Sequence, residues 1–116
     1  MFKIDLYEEI MHLMQELTAS IKKLRTNGEK LAEAERDYKI TLRKEALKLR
    51  ADDMPVTLIN QVIYGVDEVA NKRFKRDVEE ANYKANQEHI NVTKLKLRIL
   101  EAQLQREYGV AGKGDF

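Results

Sequence analysis

One predicted helix, spanning residues 67–108, carries two apolar stripes on different sides. The first, called here the stepped stripe, advances in alternating fours and threes, which is the spacing of a coiled-coil seam. The second, called the sevenfold row, repeats at every seventh residue near the far side of the same helix. The stepped stripe comprises Phe74, Val78, Ala81, Ala85, Val92, Leu95, Ile99 and Ala102, and the sevenfold row comprises Tyr83, Ile90, Leu97 and Leu104.

A surface helix needs only one apolar stripe, so a helix with two stripes is covered on two sides. The remaining residues of this chain are sufficient to cover only one of them. We therefore expect the stepped stripe to pack within the chain and the sevenfold row to form the interface of a homo-oligomer, a dimer or larger. Glu88 interrupts the stepped stripe, and a polar residue at such a position commonly fixes register or oligomeric state.

The first long helix is predicted over about residues 5–50. Asp5 is its expected N-cap, and Pro55 ends the helical pattern because the residue before a proline disfavours the helical conformation. Apolar residues recur at sevens along it, which predicts a single buried face. The row comprises Ile10, Leu17, Leu24, Leu31 and Tyr38, flanked by Leu13, Met14, Ile21, Leu42 and Leu49.

Thr26-Asn27-Gly28-Glu29 allows two architectures. It resembles a turn in which Thr26 caps a new helix and Glu29 completes a capping box, which would give three helices. The sevenfold repeat nevertheless passes through Gly28 without a change of phase, and this favours one continuous helix. In that case an antiparallel hairpin would bring Gly28 roughly opposite His89.

The rest of the chain predicts a short helix over about residues 57–64 capped by Thr57, the long helix 67–108, and a loose tail over 109–116. The expected fold is a single all-α domain, residues 1–116. It is a long antiparallel, coiled-coil-like helical hairpin with a short helix at its bend, assembling into a helical bundle.

Composition excludes several classes of protein. The 116 residues include no cysteine, which rules out disulfides, thiolate metal sites and a cysteine nucleophile. Twenty-one basic and twenty acidic residues give a net charge of +1, unlike a strongly basic nucleic-acid binder. No apolar run approaches the roughly 20 residues that span a bilayer, and the acidic N-terminal stretch is unlike a signal peptide. We therefore expect a cytoplasmic protein with no membrane partner.

A basic cluster near the start of the last helix is the one candidate for phosphate contacts. It comprises Lys72, Arg73, Lys75 and Arg76. Such a cluster can bind nucleic acid, but Glu79 and Glu80 follow one turn later, and the pattern favours a solvated helix face with compensating charges. Nucleic-acid binding is therefore the alternative function.

No pattern indicates catalysis or a cofactor. Glu9 and His12 match one Glu-x-x-His element of di-iron bundles, but the second element is missing because Asn86 precedes His89 by three residues. Ser20 is the lone serine, and there is no glycine-rich phosphate loop. We predict no catalytic residues, no metal, no cofactor and no enzymatic activity.

Three segments are similar to a known group of proteins. They are AERDY at 34–38, LRKEALKLRADDMPVTLI at 42–59, and FKRDVEEANYKANQEHINVTKLKLRILEAQLQREYG at 74–109. Together they resemble small uncharacterised proteins of phages and prophages of Gram-positive bacteria, encoded near early replication or recombination genes. The resemblance implies a phage product in a bacterial cytoplasm but brings no functional residues. With the stripes, it favours a non-enzymatic, self-associating accessory factor that acts through protein contacts.

Overall fold

The structure, a computed structural model, describes the backbone of residues 3–114 and the side chains of residues 5–109. Regular structure in this part of the chain is entirely helical, with no strand. Two long helices, α1 (Lys3–Ala51) and α3 (Asp67–Gly114), are joined by a short helix α2 (Val56–Val62) and a 3₁₀ turn (Ile63–Gly65). The predicted all-α helical hairpin is therefore confirmed.

Helix α1 continues through Gly28 without a break. No described glycine has a positive φ, so the left-handed backbone that would favour glycine in a turn is absent there. Packing along the flanking row offsets the roughly 1 kcal/mol that a mid-helix glycine costs relative to alanine. Gly28 lies against Tyr83, not His89 as predicted.

The bend is capped by backbone geometry and not by Thr57 as predicted. Helix α2 begins at Val56 after Pro55, whose φ of −60° and ψ of 145° place it at the N-cap. The Pro55 carbonyl accepts a hydrogen bond from the Ile59 amide at 3.0 Å. Asp53 adopts a positive φ of 66°, a conformation that aspartate tolerates better than most residues, and this ends α1.

Helix α3 begins at Asp67 as predicted but runs to Gly114, so the helix extends past Tyr108 into the predicted loose tail. Glycine weakens a helix without ending it unless the backbone turns left-handed, and Gly109 shows no positive φ. Residues 115–116 of the predicted tail lie outside the described residues.

The chain forms two compact units. The bend unit is Arg25–Lys84, and the terminal unit contains the described residues before Arg25 and after Lys84. The core of the bend unit joins α1, α2, the 3₁₀ turn and α3. Its buried residues are Tyr38, Ile59, Ile63 and Val69. Val69 is fully buried, so it anchors the start of α3 beneath the bend.

In the terminal unit, the start of α1 packs against the second half of α3. Leu6, Ile10 and Leu97 form its buried core, and Leu13, Leu17, Leu100 and Leu104 pack against them. The predicted sevenfold repeat of α1 is therefore confirmed as a packing face in this unit. Met14 and Ile21, predicted to flank that face, are instead about half exposed.

The structure reverses the roles predicted for the two stripes of α3. The sevenfold row packs within the chain: Ile90 and Leu97 are 6% and 7% exposed, and Tyr83 and Leu104 are half-buried. Every residue of the stepped stripe is exposed. The predicted oligomer interface Tyr83, Ile90, Leu97 and Leu104 is therefore wrong, because α1 already covers these residues.

Buried polar residues explain the reversal. Asn86 and Thr93 alternate with the sevenfold row, so on hydrophobicity alone that face looks less suitable for burial than the stepped stripe. The Asn86 side chain donates a 2.9 Å hydrogen bond to the Ser20 carbonyl. The Thr93 hydroxyl donates a 2.8 Å hydrogen bond to the His89 carbonyl of its own helix. Their burial is therefore compatible with folding, since each has its partner.

Candidate protein interface

The stepped stripe presents a partly exposed apolar surface on α3 in the terminal unit. Val92, Leu95 and Ile99 expose 41%, 53% and 56% of their surface. They lie on consecutive turns of one helix, between the small residues Ala85 and Ala102. A contiguous apolar row at this spacing is what a partner helix packs against.

Glu88 is the single charged member of this stripe in the terminal unit, and it is exposed. It has no ion-pair partner among the described residues. A partner surface that covers the stripe must therefore present a polar or basic group at this position, since a buried unpaired carboxylate is costly.

Helix α1 presents a second uncovered surface in the same unit, called here the methionine face. It comprises Tyr7, Met11, Met14, Thr18 and Ile21, again spaced in alternating fours and threes. All are exposed, and beside them lies an open groove of about 420 Å³. The groove is lined by Met11, Met14, Gln15, Thr18, Ala19 and Lys22. Methionine side chains are flexible and adapt to irregular partner surfaces.

Charges around these two surfaces differ in sign. Residues 5–21 of α1 contain four acids (Asp5, Glu8, Glu9 and Glu16) and neither lysine nor arginine. Residues 89–100 of α3 contain three bases (Lys94, Lys96 and Arg98) and no acid. A polar contact joins the two described segments, with His89 Nε2 3.2 Å from Glu16 Oε1. The other charges remain available to a partner.

The predicted phosphate-binding cluster in the bend unit is not a set of four free cations. Arg76 lies over Tyr38, with its Cζ 4.8 Å from the ring centroid, and donates two hydrogen bonds to Asp77 Oδ1 at 3.1 and 2.8 Å. Lys75 pairs with Glu79 at 4.0 Å. Arg73 lies 5.4 Å from the Tyr64 ring centroid, and Lys72 is exposed.

Arg76 therefore has a structural role. The hydrogen bond to Asp77 raises the pKa of the Arg76 guanidinium above its ordinary value, with smaller contributions from the nearby charges. Its side chain is 25% exposed, while the other three basic residues are exposed. Lys72 and Arg73 are the members of the cluster that a phosphate could reach without disrupting an ion pair.

Among the side chains that the structure describes, no three His, Asp and Glu groups are arranged to hold a metal ion. Glu9 and His12, which match one Glu-x-x-His element, are both exposed on α1. The position three residues before His89 is Asn86 and not the glutamate of a second such element.

Comparison of this chain with known proteins identifies no relative. No protein-family model matches the chain, and neither a curated protein nor a solved structure is similar to it. None of the described helices combines the length and apolar character needed to cross a bilayer. The resemblance to small phage proteins stays a prediction of the sequence.

Sequence reasoning missed the methionine face as a surface of its own. Met14 and Ile21 lie four residues after Ile10 and Leu17, so the heptad pattern assigns them to the flank of the buried row. The signal that identifies them is the complete series from Tyr7 to Ile21, which keeps its alternating spacing beside the sevenfold repeat of Ile10 and Leu17.

Proposed function

We propose that this chain is a non-enzymatic, self-associating helical protein that acts through protein–protein contacts. The exposed stepped stripe of α3 is the observation that carries the proposal. Val92, Leu95 and Ile99 remain in solvent while the opposite side of the same helix is packed on α1. Covering these residues removes apolar surface from water at about 25 cal/mol per Å², which favours association.

The proposed biological setting is supported by the resemblance of segments 34–38, 42–59 and 74–109 to small phage and prophage proteins. We infer an accessory factor that works in the cytoplasm of a bacterial host, beside replication or recombination proteins. Self-association would multiply whatever contact each copy makes with such a partner.

Light scattering at increasing protein concentration tests self-association directly. We expect the wild-type mass to rise above the 13.6 kDa of one chain in the micromolar range. Leu95→Glu should keep the protein at one chain mass, because it places a charge in the stripe. Leu47→Glu is the matched control, since Leu47 is also an exposed leucine, on α1 of the bend unit. A wild-type protein that stays at one chain mass would contradict the proposal.

A further inference from the structure

We infer that the stepped stripe of one copy docks on the methionine face of a second copy, with the two helices antiparallel. This inference rests on the proposed function and specifies its partner surface. The methionine face and residues 85–102 of the stepped stripe both lie in the terminal unit and remain exposed there, so they do not cover each other within one chain.

The spacing of the methionine face matches that of residues 85–99 of the stepped stripe. From Tyr7 to Ile21 and from Ala85 to Ile99, each helix advances by about 21 Å at 1.5 Å per residue. Both series step by four, three, four and three when they are followed in opposite directions. The resulting layers are Tyr7 with Ile99, Met11 with Leu95, Met14 with Val92, Thr18 with Glu88, and Ile21 with Ala85.

The polar layer selects this register. Thr18 is the polar member of the methionine face, and Glu88 is the polar member of the opposing stretch of α3. Antiparallel docking places them in the same layer, with Lys22 one turn beyond Thr18 on the groove that borders the face.

Charge also favours α1 as the occupant. In this register Glu8, the acidic residue that flanks the methionine face, lies close to Lys96 of the other copy, while Glu16 faces His89 of its own chain. Pairing of two α3 stripes would instead bring the basic stretches together, and like charges at an interface oppose association. Opposite charges thus favour a second copy's methionine face over its α3 stripe.

Because the two surfaces are on different helices, the contact is heterologous. Each copy can bind one neighbour through α3 and another through α1. The wild-type protein should therefore form species larger than a dimer as its concentration rises.

Mixing two blocked variants tests the inference. Met14→Lys removes the methionine face and Leu95→Glu removes the α3 stripe. Both residues are about half exposed, so the fold of each variant should persist, and circular dichroism checks this. We expect each variant alone to associate at least about tenfold more weakly than wild type, because a charge would be buried at the interface. Met14→Leu, the apolar control, should associate like wild type.

An equimolar mixture should restore association, because one variant keeps its α3 stripe and the other keeps its methionine face. Sedimentation should show a species of twice the 13.6 kDa chain mass and no larger one. If Met14→Lys associates as well as wild type and the mixture gains nothing, the inference is wrong while self-association through α3 stands. If wild type itself remains at one chain mass, both the inference and the proposed function are wrong.

Discussion

Gly28 of α1 packs directly against Tyr83 of α3, and the space between them would accept one methyl group. A Cβ atom built on Gly28 would lie 3.5 Å from Cε2 of Tyr83 and 3.9 Å from Cδ2. These are ordinary van der Waals distances, and the helix continues through this position. The glycine therefore weakens α1 without being required by a turn or by a clash.

Gly28→Ala should stabilise the protein by about 0.5–1 kcal/mol, because alanine has the higher helix propensity and fits beside Tyr83. Urea unfolding monitored by circular dichroism measures this change. Thr26→Ala is the control for propensity alone, since Thr26 is exposed on the same helix. A loss of stability in Gly28→Ala would contradict the packing described here.

Substitution of Leu97 should lower stability much more than substitution of Leu95, although the two residues are only two positions apart. Leu97 belongs to the terminal core, so Leu97→Ala should cost about 2–5 kcal/mol of unfolding free energy. Leu95→Ala should change the stability of the dilute single chain by less than about 0.5 kcal/mol, because Leu95 is exposed. Equal losses for the two variants would show that the faces of α3 are assigned wrongly.

Sequence patterns predicted the helices and the packing row of α1 but selected the wrong face of α3. Periodicity counts apolar residues, and by that count the stepped stripe exceeds the sevenfold row. Burial of the opposite face depends on Asn86 donating to the Ser20 carbonyl, a pairing between residues 66 positions apart. Propensity and periodicity are local properties and carry no information about that bond.

For the same reason, the sequence predicts the candidate interface only in part. The expectation that another chain covers one of the two stripes stays a prediction, and the residues it names depend on which stripe α1 covers. In the basic cluster, the sequence could not show that Arg76 packs on Tyr38, because this contact joins two helices.

Arg76→Ala should lower stability by about 1 kcal/mol, since it removes the contact with Tyr38 and the bonds to Asp77. Lys72→Ala should leave stability unchanged because Lys72 is exposed. Thermal unfolding of the two variants distinguishes these roles. Equal stability of both would contradict a structural role for Arg76.

Nucleic-acid binding should be absent at 150 mM salt in the micromolar range, because only Lys72 and Arg73 of the cluster are free of ion pairs. Fluorescence anisotropy with mixed-sequence single- and double-stranded DNA at two salt concentrations measures it. Binding that weakens steeply with salt and is lost in a Lys72→Ala, Arg73→Ala double variant would support the alternative function.

We expect α3 to use one face within the chain and to offer the other to a partner. Since the chain has no cysteine, single cysteines at Leu95 and Leu97 report on each face separately. The rate of thiol labelling should be fast for Leu95→Cys at low protein concentration and should fall as concentration rises, whereas Leu97→Cys should label slowly throughout. A labelling rate at position 95 that does not change with concentration, or fast labelling at position 97, would contradict the account.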